Sequence, residues 1–190
     1  MPDEIAHNKK QVTIGIGEYY ASKEPVIIYT LLGSCVAVCL FDPKNRIGGM
    51  NHILLPGKPE LGKYDDSARY GINAMELLIN GIMKLGGDRK ALVAKIFGGA
   101  NVIPSISEDK AVGQRLVDFI QGVLRDEKIK IISRDYGGYD TRKIFFHSDT
   151  GDVFLKRLSS MKTIAKKEQE RLDKIKRQID EPGDVTIFPD

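Results

Sequence analysis

Long apolar runs are missing from this chain of 190 residues, and their absence excludes a membrane-spanning helix. A bilayer requires roughly 20 consecutive apolar residues, and no stretch approaches that length. The first ten residues also lack the apolar centre of a secretory signal peptide. We therefore expect a cytoplasmic protein with no membrane insertion.

A strong charge of one sign is also missing. The chain has 29 Lys and Arg residues against 26 Asp and Glu residues, which gives a formal net charge of +3. Because the two signs are interspersed, this small excess does not predict nucleic-acid binding. The length and the 42% hydrophobic content are typical of a globular domain with a substantial core.

Cysteine is scarce, and the two that are present, Cys35 and Cys39, do not predict a disulfide. If their segment is a strand, their Cα atoms lie about 13 Å apart, beyond the roughly 7 Å limit for a bridge. The chain also has no Cys-x2-Cys or His-x3-His pair of the kind that zinc sites use. We therefore expect no metal and no other cofactor.

Alternating and helical patterns predict an α+β layered fold with a mixed sheet. Residues 18–24 are interpreted as a connection between two strands. Residues 159–190 form a charged segment with a narrow apolar stripe, which we interpret as a helical extension to a domain at 1–158. The other predicted elements are strands over 12–17, 25–30, 35–41, 47–55, 91–97, 128–133, 144–147 and 153–155, and helices over 67–85 and 108–126.

A thiol and an imidazole stand at matching positions of a predicted hairpin. Cys35 follows Gly33 and Ser34 at the start of one strand, and His52 lies near the end of the return strand. Folding that hairpin brings the two residues side by side. Because a cysteine attacks as its thiolate, it needs a neighbour that accepts its proton, and histidine does so near pH 7.

The same stretch contains the other requirement of acyl transfer. Backbone N–H groups around Gly33 and Ser34 could stabilise an oxyanion, since glycine lets the chain bend close to a substrate carbonyl. The spacing alone leaves a second interpretation open, in which the thiol is an ordinary buried core residue. Cys39, in mid-strand among apolar residues, fits that second interpretation.

Two further features are interpreted as structural. His147 lies in a predicted strand between Phe146 and Ser148. Gly98 and Gly99 follow a strand, where a glycine pair can cradle phosphate, but no Lys-Ser/Thr follows them. We predict that this pair allows tight packing against a neighbouring loop.

Several segments together closely resemble the CheD family, the chemoreceptor glutamine deamidases of bacterial and archaeal chemotaxis. The likeness runs from about Val12 to Leu158. The segments that carry it are 14–19 (IGIGEY), 30–40 (TLLGSCVAVCL), 48–52 (GGMNH), 55–56 (LP), 69–71 (RYG), 74–76 (AME), 95–100 (KIFGGA) and 135–138 (DYGG).

The resemblance implies hydrolysis of selected glutamine side chains on methyl-accepting chemotaxis receptors to glutamate, with release of ammonia. It assigns the nucleophile to Cys35, the histidine to His52 and a third active-site residue to Thr30, which would orient His52. It also implies a mixed β-sandwich flanked by helices, like the catalytic domain of cytotoxic necrotizing factor toxins, and binding to a CheC-type phosphatase. The segment 159–190 is not covered by the resemblance.

Two alternatives to the amidohydrolase stay open on the sequence. The chain could be a non-catalytic adaptor that binds a CheC-type phosphatase and receptors, with an incidental thiol. It could also be a thiol-based redox sensor, in which Cys35 is reversibly oxidised without a glutamine substrate.

Overall fold

The computed structural model describes residues 9–54, 64–101 and 112–158. The two α-helices of this part of the chain are α1 (Tyr64–Lys84) and α2 (Val112–Asp126), and a short 3-10 helix covers Arg89–Ala91. The strands are β1 (Lys10–Thr13), β2 (Tyr19–Ser22), β3 (Val26–Leu32), β4 (Val36–Asp42), β5 (Ile47–Asn51), β6 (Val93–Gly98), β7 (Lys130–Tyr136), β8 (Thr141–His147) and β9 (Val153–Leu158).

The strands form two mixed sheets. The outer sheet has the order β1-β3-β8-β9, in which β1 and β3 are parallel and the other neighbours antiparallel. The central sheet has the order β2-β5-β4-β6-β7, in which only β6 and β7 run parallel. The hairpin of β4 and β5 thus lies in the middle of the central sheet.

Two separate cores hold the layers together, because side chains of a strand alternate between its faces. On one face of β4, Val36, Val38 and Leu40 pack among apolar residues of α1 and α2. On the other face, Cys35, Ala37 and Cys39 pack against the outer sheet. The described part of the chain therefore has three layers, with the central sheet between the helices and the outer sheet.

The structure confirms the predicted α+β class with mixed sheets and helices. The predicted end of the first helix is also confirmed, since Gly86 adopts φ 99° and Gly87 donates its N–H to the Ile82 carbonyl. No helix in the described ranges is long and apolar enough to cross a bilayer. The predicted extension at 159–190 lies outside the described residues, so the division of the chain at 158 stays a prediction.

Two predictions were wrong: the predicted strand over 12–17 ends at Thr13, and the segment 18–24, interpreted as a connection, contains strand β2. Tyr19–Ser22 pairs antiparallel with β5, with Tyr19 opposite Asn51 and Ser22 opposite Gly48. Aromatic residues favour strands and an edge position tolerates polar neighbours, so Tyr19 and Tyr20 form a strand although Glu18 and Glu24 flank it. This strand completes the side of the central sheet on which His52 lies.

Candidate active site

The register of the β4–β5 hairpin determines which side chains meet at its open end. Cys39 pairs with Met50 and Leu40 with Gly49 along the ladder. The same register continues to Val36 and Ile53, which exchange both backbone hydrogen bonds at 3.0 and 2.7 Å. His52 consequently lies opposite Ala37, one position inside that bridge.

Cys35 and His52 lie on the same face of this hairpin. Cys35 is two residues before Ala37 on its strand, so it is a diagonal neighbour of His52, at a Cα spacing of roughly 7–8 Å. That face is directed towards the outer sheet, since Cys35 packs with Leu32 and Phe97 in the core between the sheets. The structure thus brings these two predicted site residues together on one buried face.

Thr30 reaches the same place from the outer sheet. It lies on β3 between Ile28 and Leu32, and all three side chains are directed into the core between the sheets. The Thr30 hydroxyl oxygen lies 2.8 Å from His52 Nδ1. Thr30 and His52 are 22 residues apart in the sequence, and the packing of the outer sheet on the central sheet brings them together.

The hydrogen bonds of Thr30 define the tautomer of the imidazole. The hydroxyl has one hydrogen, which it donates to the Ile14 carbonyl oxygen at 2.8 Å. Towards His52 the hydroxyl oxygen is therefore an acceptor, and Nδ1 must donate. This assignment leaves the lone pair of the neutral ring on Nε2.

His52 is prepared to accept a proton. Burial lowers the pKa of His52 below its ordinary value, and the Ile14 carbonyl opposes that shift only in part. The ring is therefore neutral at pH 7. Its Nε2 is buried and has no hydrogen-bond partner among the residues that the structure describes. A buried imidazole nitrogen without a partner is costly, and such groups are enriched at functional sites.

The two cysteines differ in their surroundings. Cys39 is 1% exposed in mid-strand, and burial raises the pKa of its thiol well above the ordinary value, an effect that Lys95 offsets only in part. It behaves as the apolar core residue that the sequence predicted. Cys35 retains 8% exposure just before β4 begins, whereas Cys39, on the other diagonal of His52, lies deeper in the strand.

Gly98 and Gly99 hold the backbone before β4 in place. The Gly99 N–H donates to the Cys35 carbonyl at 2.7 Å, and the Ala100 N–H donates to the Gly33 carbonyl at 2.9 Å. Gly98 has φ 106°, and a Cβ there would collide with the carbonyl oxygen of Cys35. The prediction that this glycine pair serves close packing against a loop is confirmed.

The two predicted oxyanion residues lie on this braced loop. Gly33 and Ser34 are half-buried, in the bend between β3 and Cys35. The carbonyls of Gly33 and of Cys35, the residues on either side of Ser34, accept the hydrogen bonds from Ala100 and Gly99. The bend therefore has a defined position relative to the thiol.

A cleft of about 570 Å³ lies at the same end of the molecule, around the connection between β7 and β8. The Gly137 N–H donates to the Gly98 carbonyl at 2.9 Å, which joins this connection to the loop beside Cys35. The buried Arg142 fixes it further by donating to the Gly137 carbonyl at 2.8 Å and to Asp135 at 2.7 Å. None of the predicted site residues lines the cleft.

Two further residues near the site were not singled out from the sequence. Ile14 contributes only its carbonyl group, so its side chain gave no signal. Asn51 is a polar residue in an apolar strand, which is a usable signal. Its amide oxygen accepts from the Val38 N–H at 3.0 Å and its nitrogen donates to the Ala74 carbonyl at 3.2 Å. It joins α1 to the hairpin directly beside His52.

His147 lies away from this group. Its register partner is Ile27, three residues from Thr30 along β3, which is about 10 Å of extended chain. The ring packs against Phe154 and lies 3.4 Å from the Lys9 amine. Burial, and then the Lys9 charge, lower its pKa. These contacts are consistent with the predicted structural role.

Comparison with known proteins adds a family context to this geometry. A family model described as CheD chemotactic sensory transduction matches residues 54–157, a span that begins after His52. A probable chemoreceptor glutamine deamidase CheD 1 of Shewanella oneidensis is 42% identical over 186 residues, which is 95% of this chain and 88% of that protein.

Other relatives are similarly close. A probable chemoreceptor glutamine deamidase CheD 2 of Chromobacterium violaceum is 43% identical over 90% of this chain and 87% of its own length. A CheD protein of Hahella chejuensis with the same description is 42% identical over 90% of this chain and 82% of its own. Among solved structures, the Bacillus licheniformis hypothetical protein YfiH matches 63% of this chain and 49% of its own, at 15% identity and a TM-score of 0.41, too weak to define the fold.

Proposed function

This chain belongs to the CheD family, and on that premise we propose that it is a protein-glutamine amidohydrolase acting on chemoreceptors. Its substrate is the side-chain amide of selected glutamine residues on methyl-accepting chemotaxis receptors. Its products are glutamate and ammonia. The reaction is an acyl transfer to a thiol followed by hydrolysis, and it needs no cofactor.

The first half of the reaction forms a thioester. His52 Nε2 accepts the proton of the Cys35 thiol, and the sulfur attacks the amide carbon of the glutamine. Backbone N–H groups at Gly33 and Ser34 stabilise the negative charge that develops on the amide oxygen. The tetrahedral intermediate then collapses, and His52 returns the proton to the leaving nitrogen, which departs as ammonia.

The second half restores the enzyme. A water molecule donates a proton to His52 Nε2 as its oxygen attacks the thioester carbon. Collapse of this second intermediate breaks the bond to Cys35 and leaves a glutamate side chain on the receptor. The sulfur departs as a thiolate that the protonated His52 stabilises, so that the pair is ready for another cycle.

The hydrogen-bonded series Ile14, Thr30, His52 is the observation that supports this proposal most directly. It puts the proton on Nδ1 and the lone pair on Nε2, and it does so on the face of the hairpin that carries Cys35. In this role Thr30 orients His52 rather than touching the substrate. A buried imidazole that served only packing would gain stability from a partner on both nitrogens.

Four finer statements belong to the same proposal. We propose that the protein works in the cytoplasm and that a CheC-type phosphatase is a partner. We also propose that the likeness of the family fold to the catalytic domain of cytotoxic necrotizing factor toxins extends to this chain. Finally, we propose that residues 1–158 form the deamidase domain and that residues 159–190 are a helical extension to it.

The test is incubation of the purified chain with a receptor fragment that carries glutamines. Mass spectrometry should find the mass gain of amide-to-acid conversion, with matching release of ammonia. Cys35→Ala should abolish both signals, whereas the matched variant Cys39→Ala, on the same strand face, should retain them. The Cys39 variant controls for the loss of a buried thiol.

Two outcomes would contradict the proposal. Unchanged deamidation by Cys35→Ala would exclude Cys35 as the nucleophile. Absence of deamidation by the wild-type chain, together with capture of a CheC-type phosphatase that survives Cys35→Ala, would favour the adaptor instead.

A further inference from the structure

A tight turn at residues 15–18 lies between β1 and β2, beside the imidazole. The Glu18 N–H donates to the Gly15 carbonyl at 3.1 Å, and Gly17 has φ 83°, the geometry of a turn that requires glycine at its third position. The Glu18 carboxylate then accepts the Gly15 N–H at 2.7 Å. Glu18 thus closes the turn through both its backbone and its side chain.

This turn holds both members of the Thr30–His52 pair. On one side, the Ile14 carbonyl accepts the Thr30 hydroxyl at 2.8 Å. On the other side, the Gly17 N–H donates to the His52 carbonyl at 2.8 Å, and the His52 N–H donates to the Glu18 carbonyl at 3.0 Å. A change in the shape of the turn therefore moves the hydroxyl's acceptor and the imidazole's backbone relative to each other.

We propose that Glu18 is a positioning residue that holds the His52 proton on Nδ1 by closing the turn that presents the Ile14 carbonyl to Thr30. The proposal rests on the proposed function for its catalytic consequence, but the tautomer of His52 is a property of the folded chain alone. No contact of Glu18 with a substrate is required.

The physical reason is the single hydrogen of the Thr30 hydroxyl. While the Ile14 carbonyl accepts that hydrogen, Thr30 can only accept from Nδ1. If the carbonyl moves away, the hydroxyl is able to rotate and donate to Nδ1, and the ring proton then resides on Nε2. A ring in that tautomer has no lone pair on Nε2 to accept the thiol proton.

The position of Glu18 separates this role from a structural one. Its side chain is exposed, and Ile16 at the tip of the turn is 59% exposed. Removing the Glu18 carboxylate therefore leaves no cavity and no buried unpaired group, so that the melting temperature should change little. A hydrogen bond to a charged group of this kind corresponds to about a tenfold change in an equilibrium constant.

The experiment combines nitrogen NMR of the His52 ring with steady-state kinetics on the full chain. In the wild type at pH 7.5, the spectrum should show hydrogen on Nδ1 and a lone pair on Nε2. In Glu18→Ala, hydrogen should appear on Nε2, kcat for glutamine deamidation should fall about tenfold, KM should stay unchanged, and the melting temperature should fall by only a few degrees. Thr30→Val removes the hydroxyl oxygen that accepts from His52 Nδ1, so its spectrum is the reference for complete loss of that acceptor.

Two matched variants sharpen the result. Glu18→Gln keeps a side-chain oxygen that can accept the Gly15 N–H but has no charge, so it should restore the wild-type spectrum and most of kcat. Ile16→Ala changes an exposed side chain of the same turn and should leave the spectrum as in the wild type.

Three outcomes are decisive. A wild-type ring spectrum in Glu18→Ala would overturn the inference, as would a Glu18→Gln variant with the same altered spectrum as Glu18→Ala, because charge would then matter rather than the closed turn. If Glu18→Ala changes the tautomer while the wild type releases no ammonia, the inference stands and the proposed function fails.

Discussion

Each end of the β4–β5 hairpin carries a buried ionisable side chain, and the two side chains differ in how many hydrogen-bond partners they have. At the turn, the buried Asp42 carboxylate accepts the Lys44 and Asn45 N–H groups, the Asn45 amide, and the Asp88 N–H, at 2.7 to 3.1 Å. At the open end, the buried His52 uses one ring nitrogen on Thr30, while Nε2 has no partner within the described ranges.

This difference separates stability from chemistry within one pair of strands. A carboxylate whose hydrogen-bond sites are filled fixes the turn and connects it to the segment after α1. An imidazole with an unfilled site costs free energy of folding, because a buried polar group without a partner destabilises by roughly 1–3 kcal/mol. We interpret the turn, which carries Asp42, as the structural end of the hairpin and the open end, which carries His52, as the reactive end.

The largest expected effect comes from breaking the reactive end. His52→Ala should lower kcat for deamidation by about a thousandfold, since general acid–base catalysis contributes between a hundredfold and ten thousandfold. The melting temperature should fall only modestly, because removal of an unpartnered buried nitrogen partly offsets the cavity and the lost hydrogen bond to Thr30. Ammonia release and thermal unfolding of the same preparation measure the two quantities.

An unfolded His52→Ala variant would contradict the separation of the two ends. So would a variant that retains wild-type kcat, since a second proton acceptor would then be needed. His147→Ala is the matched control, because it removes the other histidine with a lowered pKa and should leave kcat unchanged.

Breaking the structural end should have the next largest effect, and on stability alone. Asp42→Ala removes the acceptor for four hydrogen bonds, so the free energy of unfolding should fall by about 2–4 kcal/mol. Urea unfolding measures this loss. At a temperature where the variant is folded, its kcat should equal that of the wild type.

A fall in kcat of folded Asp42→Ala would contradict this prediction, because the turn would then affect the chemistry at the open end of the hairpin. Lys44→Ala offers a control in the same turn, since Asp42 contacts the Lys44 backbone N–H and not its side chain.

The smallest effect is a difference between the two ends in acid. Burial alone would raise the pKa of Asp42, but hydrogen bonds from the backbone of Asp88 and from Asn45 and Lys44 lower it below its usual value. Its contribution to stability is therefore complete above the unfolded pKa, near pH 4, and is lost as the pH falls through the lower folded value.

His52 makes the stability depend on pH in a higher range than Asp42 does. Because burial lowers its folded pKa below the unfolded value near 6.5, the unfolded chain binds more protons in the window below pH 6.5. Stability should fall as the pH drops through that window. Melting temperatures between pH 8 and pH 3 should show two declines, and His52→Ala should reduce only the upper one, leaving the part due to His147. An unchanged upper decline would refute the assignment to His52.

The sequence was sufficient to predict the hairpin and the residues at its open end. Strand patterns on both sides of the turn at 42–45, with apolar residues on the strand between Cys35 and Phe41, require no knowledge of other elements. The pattern also determines which side chains share a face, because shifting the strand pairing by one residue would direct Cys35 and its strand neighbours to the opposite face. The family resemblance supplied the interpretation of Thr30.

Contacts that depend on sheet order were beyond the sequence. The Ile14 carbonyl reaches Thr30 because β1 runs parallel to β3, with Thr13 opposite Tyr29. Nothing in the residues of β1 specifies that pairing. The turn at 15–18 was missed because residues 15–17 were assigned to the predicted strand 12–17 and Glu18 to the connection after it. Its importance comes from two hydrogen bonds to the His52 backbone, which the local sequence does not reveal.

The stacking of two sheets at Thr30 has a consequence for how the protein matures. One edge of β3 is occupied by β8, which ends at His147, so a nascent chain that has released only its first hundred residues still lacks half of the strand's neighbours. The thiol, its imidazole and the hydroxyl are all synthesised early, and we expect them to be aligned stably only after β8 has paired with β3. An incomplete chain would therefore emerge from the ribosome with an unactivated sulfur.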